Sequence, residues 1–201
     1  MPALGFTSWG DWVGPESSEG KLWCGFNIGY QTNSDRDKTG VSVIDLVFCG
    51  RVNWNDQDSA HRLSGDVTQY DAWTGVHMCP YGQYAVKYRI KSQAEVSCWG
   101  CDNTAMNGLD VTCASLDGSS EGWMTNDEGM PIFEGSPEVN LGTWTEYSSY
   151  DKGWFIYSID LKTVADGAYD ESAANQVAVS RVQVMEPFYF LDREYDTNEF
   201  K

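Results

Sequence analysis

One pattern occurs three times in this 201-residue chain. A tryptophan is followed eight or nine residues later by a glycine, in the pairs Trp12/Gly20, Trp73/Gly82 and Trp144/Gly153. Positions two, four, six and eight after each glycine are apolar or aromatic: Leu22, Cys24, Phe26, Ile28; Tyr84, Val86, Tyr88, Ile90; Phe155, Tyr157, Ile159, Leu161. This period of two, in one phase in every copy, predicts a strand with a buried face. We expect the side chains at these even positions, counted from each glycine, to fill a single interior shared by the copies.

A second strand is predicted to close each copy after an acidic turn. The turns begin at Asp37, Asp102 and Asp170. Positions seven and nine after each aspartate are apolar: Ile44 and Leu46, Leu109 and Val111, Val177 and Val179. An aspartate followed by a hydroxyl and a small residue is typical of a turn. The stretch from Asp170 to Val179 is therefore predicted to be turn plus strand, although its alanines could suit a helix.

The charge of the chain excludes several classes of partner. The formal net charge is -17, so nucleic acid is not expected as a partner, because phosphate binding needs clustered Lys and Arg. An anionic membrane surface is disfavoured for the same reason. No apolar run approaches the roughly 18 residues that a spanning helix needs. The length favours a single domain over residues 1–201.

Six cysteines indicate a disulfide-bonded protein from an oxidising compartment. Two lie in copy one and four in copy two. Closure within each copy predicts the pairs Cys24–Cys49, Cys79–Cys113 and Cys98–Cys101, among 15 possible pairings. Cys98-Trp-Gly-Cys101 also matches a redox pattern, but its surroundings do not resemble a βαβ unit. His61 and His77 lie outside zinc-ligand spacing, so neither a metal site nor a cofactor is predicted.

Copy two contains the most specific motifs. It reads Cys79-Pro-Tyr-Gly-Gln-Tyr-Ala, then Cys101-Asp-Asn-Thr-Ala-Met-Asn-Gly-Leu, and ends at Cys113. With the opening Trp9-Gly-Asp-Trp12, these motifs resemble the vitelline membrane outer layer protein family over about residues 5–183. The resemblance implies an all-β fold, a β-prism of three Greek-key sheets with pseudo-threefold symmetry. The internal repeats would span about 5–50, 66–114 and 140–183, followed by a tail over 184–201.

The family resemblance also implies a function. Its members are extracellular, occur in egg coats and other secretions, and are associated with carbohydrate. We therefore expect a secreted structural protein of a coat or mucus matrix, whose partner is an extracellular glycan of the N-acetylglucosamine type or a matrix protein. The alternative is a glycan-processing enzyme that transfers sugars on chito-oligosaccharides, an activity attributed to the egg-coat member. The residues favour the non-catalytic interpretation, because no distinguishable catalytic set is present.

Two groups of residues are candidates for a site. Glycoside chemistry needs paired carboxylates, and symmetry would bring Asp37, Asp102 and Asp170 towards one end of the prism, although each could also be a simple turn former. Loop tryptophans with acidic or amide neighbours are candidate sugar-binding residues: Trp54, Trp99 and Trp123. The repeated Trp12, Trp73 and Trp144 are instead predicted to be core residues, because they recur at fixed phase. Residues 50–69 and 114–140 are predicted to be long connections where a specific partner would bind.

Overall fold

Thirteen strands form the described part of the chain. The computed structural model describes residues 11–30, 41–64, 72–92, 106–127, 129, 132–134, 142–166 and 171–184, of which 132–134, 164–166 and 171–176 are described for the backbone alone. The strands are β1 Asp11–Ser17, β2 Lys21–Tyr30, β3 Val41–Gly50, β4 Gln57–Ser64, β5 Ala72–Trp73, β6 His77–Met78, β7 Gln83–Ser92, β8 Met106–Ser115, β9 Glu121–Trp123, β10 Ile132–Glu134, β11 Thr143–Trp144, β12 Trp154–Asp166 and β13 Glu171–Gln183. The described residues include no helix that is long and apolar enough to cross a membrane.

The strands form three antiparallel sheets arranged as a β-prism, as predicted. Sheet 1 has the order β4-β3-β2-β5, with β6 also paired to β2. Sheet 2 has the order β10-β8-β7-β11, with β9 also paired to β8, and sheet 3 has the order β1-β12-β13. The predicted second strands are confirmed, because Ile44, Leu46, Leu109, Val111, Val177 and Val179 are all buried on β3, β8 and β13. Strand, rather than helix, is likewise confirmed for β13, which begins at Glu171 and so includes residues that were predicted to form the turn; Asp170 itself lies outside the described residues.

Each sheet includes a short strand from the following copy. Trp73 on β5 pairs with β2, Trp144 on β11 pairs with β7, and Trp12 on β1 pairs with β12. The register is the same in all three sheets, since each tryptophan lies opposite the residue nine positions after the repeat glycine: Gly29, Lys91 and Lys162. Because β1 pairs with β12 in the sheet of copy three, the first described strand joins the last copy and the set of sheets is closed.

The prediction that Trp12, Trp73 and Trp144 are core residues is wrong. Trp12 is 46% exposed, Trp73 is 36% exposed and Trp144 is half-buried. A cation lies over each ring on the outer face of its sheet, with 5.9 Å from Lys162 Nζ to the Trp12 centroid, 5.5 Å from Arg62 Cζ to Trp73 and 4.7 Å from Arg89 Cζ to Trp144. The fixed phase of these tryptophans therefore reflects a repeated pairing position at a sheet edge, not burial.

A β-bulge at the fourth position after each repeat glycine changes which side chains face the core. Cys24, Val86 and Tyr157 are each skipped in the pairing register of their strands. After one extra residue in a strand, the even positions point to the opposite face of the sheet from the even positions before it. The expectation that all even positions share one face is therefore wrong, and Tyr157 is 39% exposed.

The bulges divide the interior into two clusters instead of one. The larger cluster contains positions three, six and eight after the glycine in every copy: Trp23, Phe26, Ile28, Ala85, Tyr88, Ile90, Ile156, Ile159 and Leu161. The smaller cluster contains position two of every copy, Leu22, Tyr84 and Phe155. Tyrosine hydroxyls join the sheets, because Tyr88 donates to the Val177 carbonyl at 2.8 Å and Tyr84 donates to the Gly50 carbonyl at 2.8 Å.

Two disulfides lie in this interior. They are Cys24–Cys49 and Cys79–Cys113, which are two of the three pairs expected from the repeats. The third, Cys98–Cys101, lies outside the described residues. The closed loops span 25 and 34 residues, and cross-links of that length stabilise a fold by about 3–4 kcal/mol each.

The two predicted long connections contain strands. Residues 50–69 include β4, which pairs with β3, and residues 114–140 include β9 and β10, which both pair with β8. In β4 only Leu63 is fully buried. This edge strand therefore lacks the alternation of apolar residues from which a strand is predicted. The prediction of two unstructured connections is therefore wrong for these segments.

Candidate functional site

The acidic candidates lie outside the described residues. Asp37, Asp102 and Asp170, and also Trp99, fall in segments for which no placement is given. The other two tryptophan candidates are placed by the structure. Trp54 lies at the end of the prism that carries the turns at Gly20, Gly82 and Gly153, and Trp123 lies on the outer face of sheet 2. They are not brought together into one site, so each is described with its own neighbours.

The end platform is a pair of aromatic rings, Trp54 and Tyr81. Their centroids are 5.2 Å apart and their planes are tilted by 53°. Trp54 is half-buried, packs against the smaller core cluster and donates its indole N–H to the Gln83 carbonyl at 3.1 Å. Tyr81 is 73% exposed. Trp54 therefore anchors its loop to sheet 2, and the ring presented to solvent is that of Tyr81, which the sequence reasoning did not select.

Three amide side chains are close to Trp54, two as its sequence neighbours and one on Gln83, whose carbonyl accepts the Trp54 hydrogen bond. Asn53 and Asn55 flank Trp54 and are exposed. The side-chain amide of Gln83 donates to Ser120 Oγ at 3.0 Å, while its buried oxygen Oε1 has no hydrogen-bond partner. An aromatic face beside amide groups is an arrangement that suits a sugar ring, whose C–H face is apolar and whose hydroxyls form hydrogen bonds.

Tyr81 occupies a turn position that holds unrelated residues in the other two copies. It is the tip of a tight turn in which Gln83 N donates to the Pro80 carbonyl at 2.9 Å and Gly82 has a φ of 75°. The other two copies form the same turn around Gly20 and Gly153, both with positive φ, which glycine adopts without strain. The equivalent tips are the exposed residues Glu19 and Lys152. Comparing the three tips in the sequence is the signal that could have singled out Tyr81.

The outer face of sheet 2 contains a buried ion pair enclosed by aromatic rings. Arg89 Nε donates to Asp110 Oδ2 at 2.9 Å, and the Arg89 Cζ lies 4.7 Å from both the Trp144 and the Tyr147 ring centroids. Tyr147 also donates its hydroxyl to Asp110 Oδ2. Asp110 is 1% exposed and its other oxygen, Oδ1, has no hydrogen-bond partner. The Arg89 side chain therefore compensates a carboxylate that water does not reach.

Trp123 is the exposed margin of this cluster. It is 54% exposed and pairs with Thr112 of β8, and its side chain forms a hydrogen bond with Tyr147. Lys87 Nζ lies 5.6 Å from the Tyr147 centroid. Burial, followed by the hydrogen bond to Asp110, raises the pKa of Tyr147, so its hydroxyl stays protonated and acts as a donor.

The two histidines lie in separate environments. The protonated His61 ring donates from Nδ1 to Glu16 Oε2 at 2.9 Å and from Nε2 to Asp58 Oδ2 at 3.0 Å, which joins β4 to β1 of sheet 3. His77 is buried and stacks on Phe26, with 4.9 Å between the ring centroids. Within the described ranges, no three His, Cys, Asp or Glu side chains are grouped closely enough to hold a metal ion.

A family model matches most of the chain. It is the model of "Vitelline membrane outer layer protein I (VOMI)", matched over residues 3–122 and 63–184. This chain belongs to the VOMI family. The two overlapping matches reflect the internal repeat of the VOMI chain, since each covers about two of its three copies. No curated protein sequence matches it.

Solved structures resemble this VOMI protein in fold. The Calystegia sepium agglutinin structure is 9% identical, with a TM-score of 0.47 and coverage of 89% of this chain and 99% of that one. The V. cholerae biofilm matrix protein Bap1 is 10% identical, with a TM-score of 0.47, and the similarity covers 92% of this chain but 23% of Bap1. The artocarpin–mannotriose complex is 12% identical, with a TM-score of 0.40 and coverage of 87% and 99%.

Proposed function

We propose that this VOMI-family protein is a secreted structural protein of an extracellular coat or mucus matrix that binds glycans of the N-acetylglucosamine type. The observation that carries the proposal is the end platform, in which a solvent-exposed Tyr81 ring is supported by an anchored Trp54. Family membership supports the extracellular setting, and two disulfides suit an oxidising compartment.

The repeat strengthens the assignment to Tyr81. The same turn accepts Glu19 and Lys152 in the other copies, so an aromatic residue at this tip is not needed for folding. An exposed ring packed on a second aromatic ring, where the other copies hold charged residues, supports a binding role for Tyr81. A pyranose ring lying on Tyr81 could reach the amides of Asn53 and Asn55 beside Trp54.

The test is titration of chito-oligosaccharides into the wild-type protein and the Tyr81→Ala variant. Loss of one stacking contact is expected to weaken binding roughly tenfold. Lys152→Ala removes the equivalent tip of copy three and should bind as wild type does. Absence of binding to the wild type would refute the sugar class, whereas equal binding by wild type and Tyr81→Ala would refute the location.

The enzymatic alternative remains a prediction from the sequence. It depends on Asp37, Asp102 and Asp170, which lie outside the described residues. Mass spectrometry of the same chito-oligosaccharides after prolonged incubation would detect longer or shorter products if sugar transfer or hydrolysis occurs, and unchanged oligomers would contradict it.

A further inference from the structure

Three cations occupy the outer face of β7. Lys87, Arg89 and Lys91 follow one another at every second position, and each is half-buried between fully buried neighbours. They are three of only 13 Lys and Arg residues in a chain whose net charge is -17. A run of like charges on one strand face is unfavourable by itself, because neighbouring like charges repel. We call this run the β7 cation stripe.

The other two sheets show that the fold does not require the stripe. The equivalent positions five, seven and nine after the repeat glycine hold Gly25, Asn27 and Gly29 on β2, and Ser158, Asp160 and Lys162 on β12. Because the three sheets share strand pairing and register, β2 and β12 act as internal controls. Arg89 compensates the buried Asp110, so folding accounts for that one cation. Lys87 has no charged counterpart on β2 or β12, and among the described strands only β7 has three cations at alternate positions.

Aromatic rings accompany the stripe. Lys87 and Arg89 both lie over the ring of Tyr147, and Trp123 beside Tyr147 leaves more than half of its surface in solvent. Successive residues on a strand face are about 7 Å apart, so the stripe extends over roughly 13 Å. Charge at intervals along a line, with an exposed ring at its side, fits an elongated ligand that carries repeated negative charges and ring faces.

We propose that the outer face of sheet 2 binds an anionic glycan, that is, a polysaccharide carrying sulfate or carboxylate groups. The anionic groups would contact the β7 cation stripe and a sugar ring would lie on Trp123. This site is separate from the end platform and takes a different class of ligand, so it does not depend on the chito-oligosaccharide proposal. At physiological salt the Debye length is about 8 Å, so acidic residues elsewhere on the molecule repel such a ligand only weakly.

The test measures binding of a sulfated polysaccharide (heparin) and a carboxylated one (hyaluronan) at about 0.15 M salt. The variant Lys87→Gln/Lys91→Gln should bind roughly tenfold more weakly, and Lys87→Arg/Lys91→Arg should retain affinity. Arg89 is left in place because it compensates the buried Asp110. Thermal unfolding of each variant shows whether it is folded. Binding of heparin would identify the anionic group as sulfate, and binding of hyaluronan would identify it as carboxylate.

Matched controls separate this site from general electrostatics. The variant Arg51→Gln/Lys152→Gln removes the same charge from exposed positions away from the stripe and should bind as wild type does. Trp123→Ala should weaken binding of the glycan but not of poly-glutamate, which has no sugar ring. Failure of the wild type to bind either polysaccharide would overturn the proposal. It would also be overturned by equal losses in the two charge variants, or by equal binding of poly-glutamate or single-stranded DNA.

Discussion

Replacing Arg89 by Met should destabilise the protein far more than the equivalent change in sheet 1. Both sheets contain an Arg–Asp pair beside a repeat tryptophan. In sheet 1, Arg62 forms two bonds of 2.5 and 2.8 Å with Asp45 and lies over Trp73. In sheet 2, Arg89 contacts Asp110 at 2.9 Å and lies over Trp144. The two pairs therefore have similar contacts, and burial is what distinguishes them.

Burial determines the expected size of each effect. The side chains of Arg62 and Asp45 are 50% and 26% exposed, and an ion pair at such a site contributes about 0–1 kcal/mol. The cation–π contact adds about 0.5–1 kcal/mol at an exposed site. Asp110 is 1% exposed, and removal of the partner of a buried charge costs about 3–5 kcal/mol. We expect about 3 kcal/mol for Arg89→Met, because Tyr147 would still donate to the carboxylate, and about 1 kcal/mol for Arg62→Met.

Equilibrium unfolding in urea, followed by tryptophan fluorescence with the disulfides intact, measures both effects. The double variant Arg89→Met/Asp110→Leu removes the stranded carboxylate and should recover most of the lost free energy of unfolding. A difference of less than about 0.5 kcal/mol between Arg89→Met and Arg62→Met would refute the role of burial. A double variant no more stable than Arg89→Met alone would contradict the cost assigned to the unpaired carboxylate.

The two histidines should give opposite pH dependences of stability. Burial lowers the pKa of His61, but its hydrogen bonds to Glu16 and Asp58 together raise that pKa above 6.5. The contribution of His61 to stability is therefore complete below pH 6.5 and is lost as pH rises through the folded-state pKa. In urea unfolding, the stability of His61→Gln should converge with that of the wild type at higher pH. Burial lowers the pKa of His77 below 6.5, so its contribution is present above pH 6.5 and is lost as pH falls towards the folded-state value. The stability lost between neutral and mildly acidic pH should be smaller in His77→Phe than in wild type, and an equal loss in both would contradict the assignment.

The repeat made much of the fold predictable. Alternation after Gly20, Gly82 and Gly153 predicted three long strands, and the even cysteine counts within copies predicted the pairs Cys24–Cys49 and Cys79–Cys113, both of which are present. Edge strands were missed because they bury little. In β4 a single fully buried leucine leaves no period to detect, although β4 completes sheet 1.

The candidate surfaces were only partly predictable. Trp123 is exposed, as a binding residue must be, but Trp54 turned out to hold its loop in place. Tyr81 was overlooked because a tyrosine beside a glycine is unremarkable until its turn is compared with those of the other copies. Asp37, Asp102 and Asp170 stay predictions, because they lie outside the described residues.

The sequence by itself determined which segments form strands and how many copies exist, because alternation and glycine turns are local properties of the backbone. Only the tertiary structure decided which face each side chain occupies. The bulges at Cys24, Val86 and Tyr157 depend on pairing with a neighbouring strand, and no local pattern records them. The same holds for the repeat tryptophans, which are surface residues because each one pairs with the sheet of another copy.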